Sequence, residues 1–103
     1  MIDRKSLREG DEVWSAHATI GGGGPAAWVR GGVVLATGQD GSVVYRDHAG
    51  GVDTIASWSV ATLHKTEADA WLGAASRLAT LAAEVADKAA ECRVKALGEE
   101  VAA

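Results

Sequence analysis

The chain contains no phenylalanine, and among its 103 residues it has a single cysteine, a single proline and a single tyrosine. One cysteine cannot form a disulfide within the chain, and so sparse a use of cysteine is typical of a reducing compartment. We therefore expect the protein in the cytoplasm. Alanine supplies much of the 48% hydrophobic fraction, so the four tryptophans must provide much of the large apolar volume that a core needs.

Long apolar runs and a surplus of basic residues are also missing. No segment approaches the roughly 20 apolar residues of a membrane span, and the charged start at residues 1–5 leads to no apolar signal-peptide core. Residues 1–65 carry 7 acids and 6 bases, and residues 66–103 carry 7 acids and 4 bases. Nucleic-acid binding draws its affinity largely from Lys and Arg on phosphates. We expect neither a membrane nor a nucleic acid as partner.

Short β-type segments separated by glycine fill residues 11 to about 64. Residues 12–20 alternate apolar and polar side chains, which predicts a half-buried strand. A second strand is predicted at 28–35, where Gly31 and Gly32 indicate a bulge or sharp bend. Further strands are predicted near 43–45 and 52–58, and a fifth strand or a 3₁₀ turn near 60–63.

The glycine-rich stretch Gly21–Pro25 breaks the first strand and invites comparison with a phosphate-binding loop. It lacks the Gly-Lys-Ser/Thr ending of such loops and does not clearly join a strand to a helix. We therefore interpret it as a mobile loop. Asp40-Gly41, in contrast, predicts a hairpin turn, because this pair suits positive φ angles.

The segment Gly10–Trp14, the long first loop and the short terminal turn resemble an SH3-like or KOW-like barrel over about residues 8–70. The segment Leu63–Ala68 resembles the passage from barrel to helix in small uncharacterised phage and mobile-element proteins. The resemblance implies an α+β fold: a small SH3-like β-barrel of about four or five short antiparallel strands, followed by one long alanine-rich α-helix. SH3-like domains often bind peptides on an aromatic groove, so the resemblance also implies a binding function.

The sequence after residue 65 predicts one long helix. Thr66 is a suitable N-cap, Glu67 and Asp69 place negative charge in the first turn, and Gly98 is a plausible stop. The chain therefore divides into a barrel at 1–64, a helix at 65–98 and a frayed tail at 99–103. At ~1.5 Å per residue the helix spans roughly 48 Å, whereas a barrel of this size is only about 25 Å across. The distal half of the helix should project beyond the barrel.

Apolar residues occupy more than half of the helix circumference, whereas a helix packed on one surface needs a stripe of only about 100°. They divide into a bulky flank and a flat alanine flank, which predicts two neighbours. The bulky flank, expected to pack on the barrel or in a bundle and to bury the cysteine, consists of Trp71, Leu78, Leu81, Val85 and Cys92. The flank expected to form a homo-oligomer interface, as a dimer or larger assembly, consists of Ala75, Ala79, Ala82, Ala83, Ala86 and Ala90.

The aromatic and basic residues of the β half are the candidates for a binding surface. The candidate residues for binding a protein or a small anionic ligand are Trp14, Trp28, Arg30, Tyr45 and Arg46. Each ring is also a natural core residue in a chain without phenylalanine. The two arginines would hold an anion together only if they face the same way.

Catalytic, cofactor and metal sites are not expected. His17, His48, His64 and Cys92 lie on separate segments without the spacing of metal ligands. The stretch Val43–Arg46 differs from the Val-Gln-Ile-Tyr motif of the small type II dihydrofolate reductases, so an enzyme of that kind is not predicted.

Three functions remain open at this point. The first is a non-enzymatic binding or adaptor protein of phage or mobile-element type, acting in the cytoplasm of a host cell. The second is an anti-defence inhibitor that blocks a host immune complex or sequesters an anionic nucleotide. The third is a structural assembly subunit.

Overall fold

The structure is a computed structural model that describes the backbone of residues 1–102 and the side chains of residues 1–98. A short 3₁₀ helix at Arg4–Ser6 precedes the strands. The strands are β1 (Glu12–Gly21), β2 (Gly24–Thr37), β3 (Val43–Asp47), β4 (Val52–Ile55) and β5 (Thr62–His64), and the helix α1 is Glu67–Ala102. The chain thus has an α+β fold, a sheet followed by one long helix.

The five strands form one antiparallel sheet in the order β4-β3-β2-β1-β5. The predicted barrel closure is not present, because among the described residues β4 and β5 are the two edge strands and do not pair with each other. The outer side of β5 is instead met by the N-terminal segment, where the Ile2 N–H donates to the Leu63 carbonyl at 2.7 Å. The sheet therefore remains open.

The predicted mobile glycine loop is a tight hairpin turn. Gly21 pairs with Gly24, which leaves only Gly22 and Gly23 between the strands. Gly24 has a φ of +100°, a conformation that is strained for any residue with a side chain. The prediction was wrong because the glycines permit the close reversal that lets both strands extend to the turn.

The irregularity in β2 lies at Val34–Ala36, where the pairing with β3 shifts register. The predicted bulge at Gly31 and Gly32 is absent, because these residues pair with β1 in unbroken register. A Cβ at Gly31 would meet the ring of Trp14, and one at Gly32 would meet the backbone of β3. These glycines therefore serve close packing.

The sheet packs on both faces. The face that contacts α1 is called the helix face, and there Ala16 packs against Ala70 and Ala74, flanked by Trp14 and Val29. The opposite face is called the core face. Its buried cluster contains Leu7, Val13, Val34, Val43, Tyr45, Ile55, Ala61 and Leu63. Small alanine side chains on both sides of the helix–sheet contact let the helix lie close to the strands.

The start of α1 agrees with the sequence prediction. The Thr66 hydroxyl accepts a hydrogen bond from the Asp69 N–H at 3.1 Å, which is the contact of an N-cap. The helix continues past Gly98, which does not adopt the positive φ of a C-cap glycine. The helix includes the backbone of residues 99–102, which the sequence predicts to be part of a frayed tail, whereas Ala103 and the side chains from 99 onward lie outside the described residues.

The distal half of α1 projects beyond the sheet. The helix is about 54 Å long at ~1.5 Å per residue, and the longest dimension of the molecule is 64 Å against 27 and 21 Å for the other two. Ala70 and Ala74 are buried, whereas from Ala82 to Gly98 every residue except Ala89 is exposed. The described part of the chain contains no helix that is both long and apolar enough to cross a membrane.

The bulky flank of α1 only partly packs as predicted. Leu78 and Leu81 are half-buried, but Trp71 is 47% exposed and Val85 is 55% exposed. Cys92, predicted to be buried, is exposed because it lies on the projecting part of the helix. The alanine flank lies away from the sheet, and all six of its alanines are exposed.

Candidate functional site

The five candidate binding residues are divided between the two faces of the sheet. Paired residues share a face, and side chains alternate along a strand. Arg30 pairs with Ser15, whereas Arg46 pairs with Val33, three positions after Arg30. The two arginines therefore point to opposite faces and cannot hold one anion together.

Two of the predicted rings belong to the packed interior. Tyr45 is only 1% exposed and lies in the cluster of the core face. Trp14 is half-buried on the helix face, and its ring meets His48 edge-on at a centroid distance of 5.0 Å. A partner at the surface cannot use Tyr45, and Trp14 serves mainly to pack the helix onto the sheet.

Trp28 is the predicted ring that remains available at the surface, with 39% of its area exposed. His17, its direct partner on β1, stacks on it with a centroid distance of 5.2 Å and an interplanar angle of 1°. His17 Nε2 also lies 2.8 Å from the hydroxyl of Ser15. Burial, assisted by the nearby Arg30 guanidinium, lowers the pKa of His17 below 6.5 and favours the neutral ring that stacks.

The Ser15–His17 pair does not form an accessible nucleophile. Ser15 is 1% exposed, so a substrate cannot reach its oxygen. The nearby carboxylate of Asp53 accepts from Arg30 at 2.9 Å instead of orienting His17. A serine nucleophile needs both access to the substrate and an oriented base. Ser15 has neither, so its contact with His17 fixes the position of the imidazole ring.

The Arg30–Asp53 pair fixes a second part of this surface. The two side chains are 50% and 48% exposed, and they join β2 to β4. Asp53 offsets the charge of Arg30, so Arg30 is a weaker anion site than the sequence predicts. Arg46, on the other face, donates to the Gly50 carbonyl at 3.3 Å and supports a turn.

A cleft of about 120 Å³ lies at the edge of β1 beside the His17–Trp28 stack. We call it the edge cleft; its lining residues are Ala16, His17, Ala18, Trp28, Ser59, Val60, Ala61, Thr62 and Arg77. The loop that forms one wall is held by Arg4, whose guanidinium donates to the carbonyls of Ala56, Ser59 and Ala61 at 2.8 to 2.9 Å. Its position is therefore fixed by the N-terminal segment.

Arg77 of α1 supplies the positive charge of the edge cleft. Its Nε is buried and has no hydrogen-bond partner among the described residues. Among the described residues, no acidic side chain forms an ion pair with Arg77. Because the partly exposed Arg77 lines the cleft and has no ion-pair partner among the described residues, the cleft favours an anionic group that can accept from its guanidinium.

Metal-ligating side chains remain dispersed. Within the described residues no group of three or more His, Cys, Asp or Glu side chains is placed to hold a metal ion. His64 lies beneath α1, bonded to the Thr62 hydroxyl at 2.7 Å, and burial lowers its pKa below 6.5. Cys92 lies on the projecting helix.

Sequence reasoning missed the two residues that define the edge cleft. His17 carried a signal, since it alternates with apolar residues on a strand, but its partner Trp28 depended on a register that only the tight glycine turn fixes. The sequence gives no such signal for Arg77, because this residue lies in the polar arc of the helix, where a charged side chain is expected. Its role depends on how the helix is rotated against the sheet.

Comparisons with known proteins leave the site to be interpreted from its geometry. A scan with protein-family models, a search of curated proteins and a search of solved structures each find no match to this chain.

Proposed function

We propose that this chain is a non-enzymatic binding or adaptor protein of phage or mobile-element type that forms a homo-oligomer through α1. In this proposal the open sheet is a variant of the SH3-like barrel. Its five antiparallel strands support that relation, as does the passage from β5 at His64 into a capped helix at Glu67. The sheet serves as the binding module and the helix as the assembly element.

The observation that carries the proposal is the apolar surface of the projecting helix. Between Ala82 and Gly98 the helix has no packing partner within the described chain. Val85, Val94 and Leu97 are 55%, 69% and 61% exposed there. At about 100° per residue, Val94 and Leu97 lie beside or within the alanine flank, whereas Val85 belongs to the bulky flank. Exposed apolar side chains that adjoin the alanine flank support an interface there.

The direction of the alanine flank supports a second copy of the chain as the occupant. The buried alanines Ala70 and Ala74 face the sheet, while Ala75, Ala79 and Ala86 lie on the far side and are exposed. Small side chains allow two helices to approach closely. A twofold arrangement would place the same flank of each helix against the other.

Replacing Ala86 by glutamate tests the proposal. Glutamate is a good helix former, so the isolated helix should tolerate it, but a charge in a close helix contact should break the oligomer. The matched control is Thr80→Glu, which adds the same charge at an exposed position in the polar arc of the helix. We expect monomers for Ala86→Glu and oligomers for Thr80→Glu, measured by light scattering after gel filtration. Unchanged masses for both variants would contradict the proposal.

The edge cleft favours a protein partner over a sequestered nucleotide. Its volume of about 120 Å³ is below the roughly 300–1,000 Å³ of pockets that enclose small molecules. A peptide needs only a strand edge and shallow side-chain sites. Blocking a host protein therefore suits this surface better than nucleotide capture, and a purely structural subunit would bind neither.

A further inference from the structure

Part of β1 has a free hydrogen-bonding edge. Along its whole length β1 pairs with β2, but β5 covers its other side only at Trp14–Ala16. Within the described residues no strand pairs with that side from His17 to Gly21. An uncovered strand edge presents backbone donors and acceptors to any extended chain that reaches it.

The register identifies which backbone groups point outward. The Gly31 carbonyl accepts from the His48 N–H at 3.0 Å, so at Gly31 the backbone of β2 points away from β1. Along β2 the backbone groups of every second residue point the same way. In an antiparallel pair, when the backbone groups of one residue point away from the other strand, those of the residue directly opposite point away as well. The residues opposite Ala27 and Pro25 are Ala18 and Ile20. Their N–H and C=O groups therefore point out of β1.

The two edges of the β1–β2 hairpin differ. On the β2 edge Pro25 stands at an outward position and has no N–H to offer, which blocks strand addition there. On the β1 edge the equivalent position is Ile20, which keeps its N–H. The sequence thus protects one edge and leaves the other able to bind.

The edge cleft lies where an added strand would run. β5 occupies the β1 edge up to Ala16, and the cleft begins there and continues to Ala18. A peptide paired with Ala18 and Ile20 would follow β5 end to end. Alternate side chains would meet the His17–Trp28 stack on one side and Arg77 on the other, and Val60, 68% exposed, adds an apolar wall.

We propose that the free edge of β1 binds an extended acidic peptide, which adds as an antiparallel or parallel strand at Ala18–Ile20 and places a carboxylate against Arg77. Arg77 selects the acidic group, because it is the charged side chain that lines the cleft and has no ion-pair partner among the described residues. This inference rests on the proposed binding function and identifies its partner class and site.

A phage-displayed library of random peptides, selected on the full chain, tests the proposal. We expect enriched peptides that combine alternating apolar residues with an acidic residue. A synthetic copy of an enriched peptide should bind at least about tenfold more weakly to Arg77→Gln, which corresponds to loss of one charge-assisted hydrogen bond. The same loss is expected for Ile20→Pro, which removes an outward N–H, whereas the control Ile20→Thr keeps it.

A second probe does not depend on how the variants fold. The peptide, N-methylated at alternate residues, should lose binding to the unaltered protein in one of its two methylation registers, because only outward amides are used. Absence of enrichment would overturn the inference. So would a peptide that binds Arg77→Gln as tightly as the unaltered protein and that binds the unaltered protein equally well in both methylated forms. The mass of the same samples separates the two proposals: an oligomer that binds no peptide refutes the strand site alone, and a monomer that binds peptide refutes only the assembly.

Discussion

Replacing Gly73 by alanine should destabilise the fold, although the same change in a free helix is favourable. Alanine gains about 1 kcal/mol over glycine in a helix interior. At Gly73, however, a Cβ would lie 2.6 Å from His64 Nε2 and 3.1 Å from the Thr62 hydroxyl. His64 is 6% exposed and bonded to Thr62, so it has little room to move.

The expected magnitude follows from these opposed effects. Overpacking a filled site costs about 1–3 kcal/mol, and displacing His64 forfeits a hydrogen bond worth about 1 kcal/mol. After the helix-propensity gain, a net loss of about 1–3 kcal/mol remains, which lowers the melting temperature by roughly 5–15 °C for a chain of this size.

Thermal unfolding followed by circular dichroism measures the effect. Gly98→Ala is the matched control, since no atom lies within 4 Å of a Cβ built there and the same helix should gain slightly. A double variant Gly73→Ala/His64→Ser should recover much of the loss if the contact is the cause. If Gly73→Ala melts at or above the temperature of the unaltered chain, the close packing of helix on sheet is not as described.

Two further predictions concern Trp71 and the two histidines whose pKa values are lowered. Trp71→Ala should cost only about 1–2 kcal/mol in urea unfolding, below the roughly 3–5 kcal/mol of a fully buried tryptophan, because Trp71 is 47% exposed; a loss of the full amount would place the ring in an interface between copies. Burial lowers the folded-state pKa of both His17 and His64 below the ordinary value of 6.5. The unfolded chain therefore binds these protons first, so stability should be complete above about pH 6.5 and decline as the pH falls toward the folded-state values. His64→Gln should flatten this decline, and a pH-independent stability between neutral and mildly acidic conditions would contradict the burial of both rings.

Local chemistry in the sequence predicted much of the fold. The alternation of Trp14 and Ala16 located β1, and Thr66 located the start of α1, because strand alternation and helix capping depend on neighbouring residues. The glycine loop was misjudged, since Gly21 and Gly24 form a turn whose tightness depends on pairing across the hairpin. Closure into a barrel was also misjudged, because it depends on contacts between the two most distant edge strands.

The candidate site was harder to predict, for a physical reason. Trp28 and Arg30 were identified as surface candidates, and the structure places both on the core face with partial exposure. Tyr45 and Arg46 are neighbours in sequence, so the alternation of a strand sends them to opposite faces. The contribution of Arg77 depends on helix rotation against the sheet, which no local pattern of the sequence specifies.

The most direct test of the central claim, that α1 assembles copies of this chain, is the mass of the unaltered protein in solution. Native mass spectrometry over a range of concentrations gives that mass together with any retained ligand. We expect a dimer or larger multiple of the 10.5 kDa chain. A mass of one chain at every concentration would contradict the claim and leave the apolar surface of the projecting helix to another partner.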